Sequence, residues 1–121
     1  MITLEIPRAT PSMNSTHHKH WRVMHAQKKL WLKEIWIAAH QVKGFAAWNK
    51  LPAATWIRAK VTIERYSRGE LDDDNFRGGL KSVLDALKLN GLIIDDNSKH
   101  LELVATQHKG TPRTIIKIEP A

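Results

Sequence analysis

Residues 56–89, WIRAKVTIERYSRGELDDDNFRGGLKSVLDALKL, contain the two patterns that decide the fold. Apolar and polar residues alternate over residues 56–66, which is the period of a half-buried β-strand. Farther along, apolar residues repeat at helical spacing and predict a helix over about residues 75–89. The stripe that this helix should turn towards a core consists of Leu80, Val83, Leu84 and Leu87.

The same two periods recur in the rest of the chain. They predict strands at residues 2–6, 101–105 and 114–118, a helix at residues 23–42, and a short buried strand or sheet edge at residues 92–94. No internal repeat or low-complexity tract interrupts the sequence. We therefore predict a single α+β domain over residues 1–121, with two main helices on one face of a mixed sheet of four to five strands.

Composition excludes several classes of protein. The 121 residues include no cysteine, which excludes disulfides, iron–sulfur clusters, thiolate zinc sites and cysteine nucleophiles. The apolar runs are far shorter than the roughly 20 residues that span a bilayer, and the N-terminus lacks the pattern of a secretion signal. We expect a cytoplasmic protein without a membrane partner.

Charge is unevenly distributed along the chain. The formal net charge is +7, and residues 1–68 hold twelve basic but only three acidic residues. All six aspartates lie between Asp72 and Asp96. A basic surface with one acidic island is typical of a metal-dependent enzyme that acts on a polyanion, since the surface attracts phosphates and the island binds a cation. An ordinary basic surface with an acidic loop fits the charges equally well.

The acidic island begins with three consecutive aspartates, residues 72–74. On an extended segment, Asp72 and Asp74 would point to the same side. Two carboxylates about 5 Å apart repel by about 3 kcal/mol at an effective dielectric of about 20, so the pair needs a proton, a basic partner or a metal. Carboxylate oxygens suit Mg²⁺ or Mn²⁺. Asp95 and Asp96 follow the predicted helix and could join them, in which case the ions would activate water for phosphoryl transfer.

Each part of this island also has a purely structural interpretation. Aspartates before a helix cap it and complement its dipole, and Asp95 and Asp96 could form a simple turn. From spacing alone, Lys81 is better explained by an ion pair with Asp85, four residues on, than by contact with a metal-bound phosphate. Gly78 and Gly79 weaken the predicted helix, which indicates that another helix or a nucleic-acid backbone comes close there.

Two other residue types were considered for chemistry. The spacing of the histidines at 17, 18, 20 and 25 lacks a helical i, i+4 pair, and no carboxylate is near, so a zinc site is disfavoured. Phosphate contacts or a surface loop explain them better. Trp21 and Trp48 fall in predicted loops, where they are either core residues or candidates to stack on bases.

Four motifs together resemble the RusA family of Holliday junction resolvases. They are Asp72-Asp73-Asp74-Asn75, Lys81-Ser-Val-Leu-Asp85-Ala-Leu87, Gly91-Leu-Ile-Ile-Asp95-Asp96 and Pro11-Ser12-Met13-Asn14. The resemblance implies a Mg²⁺-dependent endodeoxyribonuclease, with Mn²⁺ as a possible substitute and no small-molecule cofactor. It also implies a homodimer that resolves Holliday junctions and similar branched DNA by paired symmetric nicks during recombination and repair, in a bacterium or encoded by a phage.

The resemblance also assigns roles to residues. Asp72, Asp74 and Asp96 match the metal-binding carboxylates, and Lys81 matches the active-site lysine. Asp95 and Asn75 would support these ligands, while the residues expected towards the DNA are Asn14, Lys19, Arg22, Arg68 and Arg77. Two alternatives remain open at this point: a basic DNA-binding protein without catalysis, and a nuclease of broader structure selectivity that uses the same metals.

Overall fold

The elements of the fold follow the predicted order. A computed structural model describes residues 2–12, 21–41 and 57–121. In chain order, the strands and helices are β1 (Ile2–Ile6), α1 (Trp21–His40), β2 (Ala59–Ser67), α2 (Asp73–Gly79), α3 (Lys81–Leu89), β3 (Leu101–Lys109) and β4 (Arg113–Pro120). The predicted strands at both ends of the chain and the long first helix are thereby confirmed.

The strands form one mixed sheet in the order β1-β4-β2-β3. β4 is antiparallel to both of its neighbours, whereas β2 and β3 are parallel. Parallel strands need a crossover connection, and here residues 68–100 supply it, including α2 and α3. The predicted α+β class is confirmed, and every aspartate of the acidic island lies in this crossover.

One hydrophobic core lies between the sheet and the helices. Alternate residues of β2 are buried, so that Val61 and Ile63 are fully inaccessible to solvent. Trp31 and Ile35 of α1 contribute to the same core, as does Leu87 of α3. The other three residues of the predicted helical stripe are buried too: Leu80, Val83 and Leu84. None of the helices in the described ranges is long and apolar enough to cross a membrane.

The second helix was predicted to be continuous, and this was wrong. α2 ends at Gly79 and α3 begins at Lys81, with Leu80 as the residue between them. A β-carbon on Gly79 would overlap the backbone carbonyl of Pro11. The sequence predicted that another helix or a nucleic-acid backbone comes close at the glycines. The close approach at Gly79 is instead made by the backbone of Pro11, in the N-terminal segment of the chain, and it needs a residue without a side chain.

The predicted strand or edge at residues 92–94 is also wrong, since these residues form no strand. Gly91 has a φ of 76°. Its N–H bonds to the Lys88 carbonyl, and the Leu92 N–H bonds to the Leu87 carbonyl, both at 3.0 Å. These two bonds form a Schellman motif, which ends α3 and turns the chain. Leu92 is buried by this turn, as is Ile93.

Candidate functional site

The first acidic segment, residues 72–74, begins with a helix cap. Asp72 has extended backbone angles and is the N-cap of α2. Its Oδ1 accepts a hydrogen bond from the Asn75 backbone N–H, and its Oδ2 accepts one from Asn75 Nδ2, both at 2.9 Å. Two of the residues expected at a metal site are thus in contact, and the contact is one that stabilises the start of a helix.

The extended geometry expected for Asp72–Asp74 is not observed. Because α2 begins at Asp73, both Asp73 and Asp74 lie in its first turn, where carboxylates complement the helix dipole. Both oxygens of Asp73 accept from Arg77 Nε at 3.1 Å. Asp74 is exposed. Within the described part of the chain, no hydrogen bond or ion pair involves its carboxylate.

Lys81, at the start of α3, forms an ion pair with the second acidic segment, which consists of Asp95 and Asp96. Its Nζ lies 3.2 Å from Asp96 Oδ2 and 3.4 Å from Asp85 Oδ1. The hydrogen bond to Asp96 and the charges of both carboxylates raise the pKa of Lys81, so the side chain is protonated at neutral pH. The expected pair with Asp85 is present, and the structure adds a contact that spans 15 residues of sequence.

Asp95 makes a parallel set of contacts. Its Oδ1 accepts from the Asp96 backbone N–H at 2.8 Å and lies 3.3 Å from Lys88 Nζ. Its Oδ2 accepts from Asn97 Nδ2 at 3.3 Å. The hydrogen bond from Asp96, followed by the contact with Lys88, lowers the pKa of Asp95. Two lysines about two turns apart on the same side of α3 therefore hold the two neighbouring aspartates.

The carboxylates expected to converge do not form a ready-made metal centre. Among residues 2–12, 21–41 and 57–121, no three side chains of His, Asp or Glu form a group that could hold a metal ion. Asp96 is instead paired with Lys81, while Asp72 bonds to Asn75. The oxygen donors have the chemistry that Mg²⁺ prefers, but in the described residues no three of them lie together.

Two residues that hold the loop of residues 69–71, which leads to Asp72, could not be predicted from the sequence patterns used above. Gln107 bonds through its side-chain amide to both the N–H and the carbonyl of Leu71, the residue before Asp72. Arg65 donates to the carbonyl of Gly69 in the same loop. Each stands on the core-facing phase of its strand, where the three residues that precede it in that phase are apolar. A polar residue in an apolar phase is the signal that could have found them.

The residues expected towards DNA do not lie on one element. Arg22 is exposed on α1 and Arg68 follows β2, while Arg77 is on α2 and engages Asp73. His25 is exposed on α1. The remaining candidates lie outside the described residues, or have side chains outside them: Asn14, Lys19, Trp21, Trp48 and the histidines at 17, 18 and 20.

Comparison with known proteins adds no relative. No protein-family model matches the chain, and no curated protein matches it.

Proposed function

We propose that this protein is a DNA endonuclease that resolves branched DNA, with Holliday junctions as the principal substrate. The observation that carries the proposal is the contact between Lys81 and Asp96, 3.2 Å from Nζ to Oδ2. This contact joins two of the motifs that resemble the RusA family, although they are separated along the chain. It lies in the one acidic region of a chain whose net charge is +7.

Lys81 has the properties of a group that binds a phosphate. Its side chain is 67% exposed, and its pKa is raised, so it carries a positive charge that DNA can reach. A protonated lysine cannot act as a general base at neutral pH, but it can stabilise negative charge that develops on a phosphate. The basic excess of residues 1–68 attracts the DNA backbone in a salt-dependent manner.

A requirement for Mg²⁺ is part of the proposal. It follows from the resemblance and from the exclusive use of carboxylates in the acidic region. Asp72, Asp74 and Asp96 would supply its ligands, but they form no group of three in the described residues. Cleavage measured with and without a divalent metal tests this requirement directly.

The deciding experiment is cleavage of a synthetic four-way junction with Mg²⁺, with Mn²⁺ and with EDTA. We expect paired nicks only with a metal. Asp74→Asn should abolish cleavage while retaining or improving junction binding, because it removes a negative charge and a metal-binding oxygen. Asp73→Asn is the matched control, because Asp73 is an adjacent aspartate already paired with Arg77. Normal cleavage by Asp74→Asn would rule out its assigned role.

A second function, DNA binding without catalysis, is favoured by one specific observation. The first acidic segment is accounted for as a helix N-terminus, because Asp72 caps α2 and Asp73 pairs with Arg77. This function predicts salt-sensitive DNA binding that EDTA does not change, with no cleavage by any metal.

The range of substrates and the assembly state complete the proposal. A resolvase should cleave a four-way junction in preference to a flap, a duplex or RNA, whereas a broader structure-selective nuclease would cleave several of them. Symmetric nicking of two strands needs two active sites, and a homodimer supplies them. Sedimentation at the concentration used for cleavage should therefore report twice the mass of the chain.

A further inference from the structure

The helix-facing side of the sheet changes from apolar to polar at one row of residues. Ile63 is paired with Ile116 across β2 and β4, and both are fully buried. In the next row, Arg65 is paired with Gln107 on one side and Thr114 on the other. We call Gln107, Arg65 and Thr114 the polar row. Because buried polar groups are unfavourable unless they are hydrogen-bonded, the partners of this row indicate its role.

The two ends of the polar row bond to the backbone of different chain segments. The Thr114 hydroxyl donates to the carbonyl of Arg8 at 2.7 Å. The Gln107 side chain donates to the Leu71 carbonyl and accepts from the Leu71 N–H, both at 2.9 Å. One end therefore holds the segment of residues 8–12, and the other holds the loop of residues 69–71 that leads to Asp72.

Arg65, in the middle of the polar row, contacts both segments. Its Nε donates to the Thr10 carbonyl at 3.0 Å, and its Nη1 donates to the Gly69 carbonyl at 3.4 Å. A guanidinium presents several donors in one rigid plane and can hold two acceptors at a set separation. A lysine ammonium has no such fork, so this bridge is specific to arginine.

The charge of Arg65 makes its retention informative. The residue is 8% exposed, and burial lowers the pKa of its guanidinium. In the described ranges its hydrogen bonds go to carbonyls, and no ion pair neutralises it. A buried charge without a counterion is unfavourable, but an apolar side chain in its place would leave the Thr10 and Gly69 carbonyls without this donor. The bonds to these two segments therefore account for an arginine here.

We propose that Arg65 is a positioning residue that joins the segment of residues 8–12 to the loop of residues 69–71. Pro11 follows Thr10, whose carbonyl Arg65 binds, and contacts α2 at Gly79. Asp72 follows the loop of residues 69–71, which Arg65 binds at the Gly69 carbonyl. Two of the four motifs thereby hold one relative position. The consequence for DNA cleavage rests on the proposed function, whereas the mechanical connection does not.

Hydrogen exchange at the Leu71 amide tests the connection. Thr114→Val removes the bond to Arg8, on the far side of Arg65, and touches nothing at Leu71. With Arg65 present, we expect this change to raise the exchange rate of the Leu71 N–H about tenfold, because loosening is transmitted through the guanidinium. In an Arg65→Met background, Thr114→Val should add less than about twofold. An unchanged Leu71 rate in the single variant would overturn the proposal.

Two controls separate this effect from general loosening. The N–H of Leu84, in α3, donates to the Leu80 carbonyl at 3.0 Å. It should exchange at an unchanged rate in all variants. Thr62→Met places the same side chain on the opposite face of β2 and should leave Leu71 unaffected. If Arg65→Met does not fold, Arg65→Lys replaces it, since lysine keeps the charge and loses the fork. Equal Leu71 rates in wild type and Arg65→Lys would also overturn the proposal.

Cleavage kinetics provide a functional readout. We expect Arg65→Lys to lower kcat for junction cleavage about tenfold at an unchanged KM, because positioning is impaired while the surface charges that bind DNA remain. Thr62→Met, which replaces an uncharged side chain on the opposite face of β2, should change neither constant appreciably. If the wild-type protein does not cleave DNA, the proposed function fails, and the exchange experiment alone decides whether Arg65 connects the two segments. An unchanged kcat in Arg65→Lys would contradict the catalytic consequence.

Discussion

The two acidic segments of the crossover differ in the reach of their contacts. In the first, Asp72 bonds to Asn75 and Asp73 bonds to Arg77, so both partners lie within one helical turn. In the second, Asp96 contacts Lys81, 15 residues away. Asp95 contacts Lys88 seven residues away, across the turn that ends α3.

This difference shows where a functional explanation is needed. Short-range contacts are what any acidic helix N-terminus makes, and they account for Asp72 and Asp73 without a ligand. The contact of Asp96 with Lys81 exists only because the chain reverses after α3. It leaves a protonated, exposed lysine beside two carboxylates, an arrangement that helix formation alone does not explain.

Among the side chains that make ion pairs in the two segments, Lys81 should give the largest effect when it is replaced. Lys81→Met should lower junction cleavage about 100-fold, because it removes the charge that we propose stabilises the phosphate. Lys88→Met is the matched control, since Lys88 also pairs with an aspartate of the second segment, and it should retain most of the activity. Single-turnover cleavage under saturating protein measures both. Equal losses of activity in the two variants would show that Lys81 has no role in cleavage that Lys88 lacks.

The next effect, on stability, tests the contact between Pro11 and Gly79 at the C-terminal end of α2. Gly79→Ala should destabilise the protein by about 1–3 kcal/mol, because the new methyl group meets the Pro11 backbone. Gly69→Ala is its control, since nothing lies within 4 Å of a β-carbon there. Urea denaturation measures both changes. A Gly79→Ala variant as stable as wild type would mean that the N-terminal segment does not rest on α2.

A smaller effect is expected at the cap. Asp72→Ala should lower the free energy of unfolding by about 1 kcal/mol, and Asp72→Asn should restore most of it, because asparagine also accepts a bond from the helix N-terminus. Thermal unfolding checks the stability and the junction assay checks cleavage. Full activity in Asp72→Asn would assign Asp72 to structure alone and leave Asp74 as the residue of the first segment with a candidate functional role.

The smallest effect concerns pH. The folded pKa of Asp95 is lowered, so its contribution to stability is present above its ordinary value and is lost as the pH falls through the folded value. Asp95→Asn should therefore lower Tm slightly at neutral pH and not at all in strong acid. An NMR titration of the Asp95 carboxyl carbon should give a pKa below 3.8. A value at or above it would contradict the contacts with Asp96 and Lys88.

Much of the fold could be predicted because its elements have clean periods. The alternation in residues 59–67 and the helical spacing of Val83, Leu84 and Leu87 are properties of the chain itself. The break at Leu80 was missed because it reflects the approach of Pro11, a residue far away in sequence. Residues 92–94 were misread because a short apolar run has the same appearance in a buried turn as in a strand.

The candidate site divides along the same line. The aspartates, Lys81 and its partner Asp85 were identified from local spacing, and the Lys81–Asp85 pair followed from helix geometry. The contact between Asp73 and Arg77 was not predicted, because Asp73 was expected on an extended segment. The pairing of Lys81 with Asp96, and the hold of Arg65 and Gln107 on the loop of residues 69–71, depend on where the crossover returns to the sheet.

Periodicity along the chain was thus sufficient to predict the class of the fold and the buried stripe that runs from Leu80 to Leu87. The charged residues can be read directly from the sequence. The partners of those charges were decided by folding. A side-chain pattern reports which face of an element is buried, because burial repeats with the helix or strand period. It does not report which distant segment lies against that face, because this depends on the path of the whole crossover.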